Sequence, residues 1–75
     1  MVTPESIQQS IEQGMTTTYV SVSGDGQHFE AVIVSPEFQG KNRVQRHQRV
    51  FQALGDRMRE EIHALSMKTL TPEER

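Results

Sequence analysis

The sequence predicts one small α/β domain of the α+β kind, with elements in the order α-β-β-α-β-α. Three observations carry this prediction. An alternating apolar stretch is broken by Gly24-Asp25-Gly26, a basic segment after Gly40 has helical apolar spacing, and a last alternating run ends at Thr71-Pro72. Seventy-five residues, 33 % hydrophobic with three Phe, one Tyr and no Trp, fill one thin core layer between a sheet and its helices. Residues 1–75 therefore read as a single domain without room for a deep substrate cavity. Any site is expected to be shallow, at an edge, or shared with another protein.

Taken in order, Thr3 is an N-cap and Pro4 suits the first helical position, where its preset φ helps and its missing amide costs nothing. Ile7 and Ile11 share one face of this helix, and Gly14 marks its end. From Thr16 to Ser23, Val20 and Val22 alternate with Tyr19, Ser21 and Ser23. From His28 to Ser35, Phe29, Ala31 and Ile33 share one face and Val32 and Val34 the other. Joined by Gly24-Asp25-Gly26, the two runs form a hairpin. Ser35-Pro36-Glu37-Phe38 leaves the sheet in a turn or a single helical turn. The next helix starts after Gly40-Lys41-Asn42, and Val44, His47, Phe51, Leu54 and Met58 give it an apolar stripe containing one histidine. Gly55 ends or kinks it, with Arg57 to Glu61 as a further turn. His63 to Leu70 is the third strand, and Thr71-Pro72-Glu73-Glu74 starts a short last helix. A three-stranded mixed sheet with helices on one face buries both apolar stripes. If the second and third strands run parallel, His28 and His63, which open them, come to one edge of the sheet.

Cysteine is absent, so no disulfide framework exists. No apolar run approaches the ~20 residues of a membrane span, and the start of the chain lacks a signal-peptide pattern. A cytoplasmic location without membrane contact is expected. The net charge is −2, yet residues 1–39 hold five acids and no Lys or Arg, while residues 40–59 hold Lys41, Arg43, Arg46, Arg49, Arg57 and Arg59 against Asp56. Such asymmetry describes either a solvated helix face or a basic face for nucleic acid or an acidic protein.

The chemistry-bearing residues are few. A nucleophile elbow, a phosphate-binding loop, HExxH and a cysteine nucleophile are all missing, and catalysis is not expected. Two histidines cannot hold a metal alone, so no cofactor is expected to stay on this chain by itself. They can complete a site whose thiolates come from a partner, as histidines do on one iron of Rieske centres. The bland reading, a histidine on the rim of a strand end, is the more frequent one. His47 reads as a packing residue within its stripe. Gly40-Lys41-Asn42-Arg43, with Arg46 and Arg49 on the helix, is the candidate nucleic-acid segment. It approximates the GXXG loop with which KH domains clamp a backbone, but Arg43 stands where the second glycine belongs.

Phe29-Glu30-Ala31-Val32-Ile33-Val34-Ser35-Pro36-Glu37-Phe38, Gly40-Lys41, Arg43-Val44-Gln45-Arg46-His47 and the block from His63 to Glu74 resemble the core of the BolA family over nearly the whole chain. The short N-terminus and the Ser66-Met67-Lys68-Thr69-Leu70 ending look closest to its acid-induced bacterial branch, the IbaG- or YrbA-like proteins. The resemblance implies a KH-like class II fold and a heterodimer with a monothiol glutaredoxin; separately, a monomeric free chain is expected. A bridging 2Fe-2S cluster is then held by the glutaredoxin cysteine, a glutathione thiolate and the BolA-like chain. It implies His63 as one ligand and His28 as the second, with Asp25 the alternative donor in the same loop. Protonation removes an imidazole's lone pair, so such a complex is expected to weaken as pH falls. The family's link to transcription implies weak DNA binding through Lys41, Arg43, Arg46 and Arg49 as the rival function.

Overall fold

The computed structural model describes residues 2–57, 62 and 64–75. Helix α1 (Pro4–Gly14) is followed by strands β1 (Tyr19–Gly24) and β2 (His28–Val34), then a 3-10 turn at Pro36–Phe38. Helix α2 (Arg43–Leu54), strand β3 (Ala64–Leu70) and a 3-10 turn at Pro72–Glu74 complete the chain. The described residues of the third strand, Ala64–Leu70, all lie within the expected span. Residues 58–61 of the expected turn after Gly55, including Met58, and His63 lie outside the described residues.

Local chemistry explains the element ends. Thr3 and Ser6 cap α1 reciprocally, each side chain accepting from the other's backbone amide. Asn42 and Gln45 do the same for α2, which closes at Gly55 with φ 61°. The expected last helix is a single 3-10 turn, whose Glu74 carboxylate folds back to accept from the Thr71 amide at 2.8 Å.

β2 is the central strand. It pairs antiparallel with β1, from Tyr19↔Val34 to Gly24↔Phe29, and parallel with β3, from His28↔Ala64 to Val34↔Leu70. The period-2 pattern sends Phe29, Ala31 and Ile33 into the core, where they meet Ile7 and Ile11 of α1, Val20 of β1, Phe38 of the turn, and Val50 and Leu54 of α2. Ser35 is fully buried at the sheet's exit. Its hydroxyl donates to the Thr16 carbonyl and accepts from the Glu37 amide.

One expectation is corrected. Val44, His47, Phe51 and Leu54 do not form the buried face of α2, because Val44 is 64 % and Phe51 39 % exposed. The core-facing positions are Val50 and Leu54, with Arg46 a turn earlier, so the helix is rotated by roughly a quarter turn from the predicted stripe. The contact with α1 shows why. Gly14 lies against the backbone of Ala53, where a Cβ on residue 14 would come within 2.8 Å of Ala53 Cα. That approach fixes α2 about its axis, and Arg57 secures it by donating to the Ser6 carbonyl and the Ser10 hydroxyl.

Candidate functional site

The hairpin turn presents the first candidate donor. Asp25 Oδ1 accepts from the backbone amides of Gln27 at 3.0 Å and His28 at 2.9 Å. Gly26 takes φ 101°, which an L side chain rarely adopts. Gly24 is needed for closeness instead, since a Cβ there would lie 2.4 Å from the His28 carbonyl oxygen. Those amides, His28's first, hold the Asp25 carboxyl below its usual 3.8. Asp25 is thereby an ionised turn-former with one oxygen already committed, and the turn it closes fixes the backbone from which the exposed His28 side chain departs.

His28 lines a shallow cleft with Ser23, Asp25, Glu30 and Ser66. The parallel register puts it opposite Ala64, the residue next to His63 in the chain. His63 itself lies outside the described residues. Among those that are described, no group of three His, Cys, Asp or Glu residues is placed to hold a metal ion. Asp25, His28 and Glu30 are the potential donor side chains that line this cleft.

The basic residues divide. Arg46 donates to both carboxylate oxygens of Glu74, with the shorter contact at 2.8 Å, and to the Thr69 carbonyl. This pairing holds the Glu74 carboxyl at about 2. Arg49 donates to Glu37 at 2.8 Å and to the Gly14 carbonyl on another side of the helix. Lys41 and Arg43 are exposed. Together with Arg46, they line a second cleft, completed by His47, Met67, Lys68 and Thr69. Sequence reasoning did not find Lys68, because only the β2–β3 pairing carries it to the start of α2.

Residues 2–74 match the family described as BolA-like protein. The chain belongs to the BolA family. It is 39 % identical to the DNA-binding transcriptional regulator BolA of Haemophilus influenzae, over 92 % of this chain and 81 % of the relative. It is 38 % identical to the acid stress protein IbaG of Escherichia coli, over 91 % of this chain and 82 % of the relative. The solved structure of a BolA homologue from Coxiella burnetii superposes with a TM-score of 0.86 at 47 % identity, covering 99 % of this chain and 96 % of that one. Its α+β architecture with a three-stranded mixed sheet is the one the residues predicted. Among the described residues, no helix is long and apolar enough to cross a membrane.

Proposed function

We propose that this BolA-family chain is an adaptor that pairs with a monothiol glutaredoxin and adds histidine ligation to a 2Fe-2S cluster shared with it and with glutathione. The cluster is cargo, and the chain supplies donors and a docking edge. The observation that carries the reading is the register. It puts the exposed His28 directly across from the residue that follows His63, at one end of a rigid parallel pair. Absence of cysteine supports a division of labour in which the partner brings the thiolates. Kinship with a protein named for acid stress supports a pH-sensitive role, as expected where neutral imidazoles are ligands.

The test is visible circular dichroism with native mass spectrometry on the chain mixed with cluster-loaded monothiol glutaredoxin and glutathione. A 1:1 heterodimer carrying the cluster, with a spectrum altered by His63→Ala and by His28→Ala, is the expected result. A complex indifferent to both substitutions refutes the ligation. A second reading, DNA-binding regulation, is favoured by the exposed Lys41 and Arg43 beside Lys68 and by the name of the Haemophilus relative. It predicts salt-sensitive binding that needs Arg43 and not His63.

A further inference from the structure

The sheet has two outer edges, β1 and β3, and they are finished differently. On β3 the Ser35 amide donates to the Leu70 carbonyl, so the neighbouring Thr69 turns its backbone groups outward. Arg46 of α2 donates to that Thr69 carbonyl at 3.1 Å, and the exposed Lys68 adds a charge beside it. Charged side chains on an edge strand discourage the addition of another strand. β1 has no such guard. Residues 13–24 contain no charged side chain and no proline, and the register on β2 runs unbroken from Tyr19 to Gly24, without a bulge.

The ladder also tells which groups of β1 face outward. In an antiparallel pair, successive residues alternately turn both backbone groups to the neighbouring strand and turn both away. The Asp25 amide donates to the His28 carbonyl. In step with that pair, Ser23, Ser21 and Tyr19 bond to Glu30, Val32 and Val34. Val20 and Val22 therefore point their amides and carbonyls away from the sheet. Among the described residues, no turn, side chain or further strand bonds to them. On the core face, the Val20 side chain is buried and that of Val22 is half-buried against the core cluster.

A second copy of β1, running antiparallel about Ser21, complements this edge. Val20 of each copy then meets Val22 of the other, and every outward amide of the two valines finds an outward carbonyl. Valine faces valine on the core side, Tyr19 faces Ser23 on the open side, and Ser21 meets its own copy at the twofold axis. A twofold axis brings like residues together, so an uncharged strand is suited to it. We propose that β1 is a self-pairing edge, through which two copies of this chain join their three-stranded sheets into one of six strands. The inference rests on neither functional reading above. One pair of short strands falls below the roughly 1,000 Å² of a standing interface. The chain is then a monomer when dilute and a dimer at high concentration, with a Kd of about 0.1–1 mM.

Sedimentation velocity and ¹⁵N NMR on the full chain, from about 20 µM to about 2 mM, test this. The sedimentation coefficient should rise with concentration, with shifts centred on residues 19–24. Exchange of the Val20 and Val22 amides should slow roughly 2-fold or more across the series. Ser21 is exposed, so Ser21→Lys should keep the wild-type Tm. It places like charges directly opposite at the axis and should abolish association, as should Ser21→Glu. An equimolar mixture of the two variants should associate again, which a misfolded variant would not do. A monomer across the whole range, association that survives Ser21→Lys, or no recovery in the mixture overturns the inference. Protection of Val20 and Val22 that arises only with cluster-loaded glutaredoxin also overturns it, and assigns the edge to that partner instead.

Discussion

A methyl group added at position 14 sets two effects of opposite sign against each other. Gly14 is the last residue of α1. Replacing a helical glycine with alanine ordinarily stabilises by up to ~1 kcal/mol, through propensity and a less disordered unfolded chain. In this fold the new Cβ would sit 2.8 Å from the Cα, Cβ and carbonyl oxygen of Ala53. Two of those atoms are backbone, so no rotamer change relieves the clash. Ordinary carbon contacts need roughly 3.5–4.0 Å, so α1 and α2 must separate by about 1 Å. That movement loosens Ile7 and Ile11 against the core they share with Leu54. Overpacking of this kind costs about 1–3 kcal/mol and should win. Gly14→Ala is expected to lower stability by about 1–2 kcal/mol, which at roughly 4–8 °C per kcal/mol is a clear fall in Tm for a domain of this size. Thermal and urea unfolding followed by far-UV circular dichroism measure it. Adding Ala53→Gly should recover part of the loss, because it removes the Cβ and leaves the Cα and oxygen. A Tm equal to or above wild type for the single variant would show that the interhelical contact does not constrain the fold as argued.

The remaining predictions concern the connections around the site. The Glu37 carboxyl is held below its usual 4.5 first by the Thr16 amide and then by the Arg49 guanidinium. A depressed carboxyl stabilises the fold above its unfolded value and loses that contribution as pH falls through its folded value. Glu37→Gln should therefore cost about 1 kcal/mol near neutrality, the ion pair being partly solvated, and the gap to wild type should close in acid. Urea midpoints at several pH values test this. Ser35→Ala strips the Thr16 carbonyl and the Glu37 amide of the buried hydroxyl they share. It should cost about 1–2 kcal/mol by chemical denaturation. Phe51→Ser and Val44→Ser should change stability by no more than about 0.5 kcal/mol, because both side chains are exposed; a loss of several kcal/mol would restore the predicted stripe as a buried face.

Much of the architecture was legible in local chemistry. Thr3-Pro4 and Asn42 announce helix starts through side-chain oxygens and a preset φ, which need no tertiary partner. The alternation through Phe29, Ala31 and Ile33 announces a strand with one buried face, because side chains on a strand alternate between its two sides. Rotation of α2 was not legible. Its apolar residues fit two overlapping faces that share Leu54, and choosing between them depends on how closely Gly14 lets the Ala53 backbone approach.

The same division applies to the sites. Residue type marked the segment from Lys41 to Arg49 as the basic one, whereas His28 and His63 became metal-binding candidates only with the family resemblance added. Strand order and the parallel register decided that His28 lies across from Ala64. Folding also decided that Arg46 and Arg49 are spent on Glu74 and Glu37, far away in sequence. Caps, turns and periodicity are short-range, so they are written into neighbouring residues. Ion pairs, clefts and helix rotation depend on which distant surfaces meet, and those meetings exist only once the core has closed.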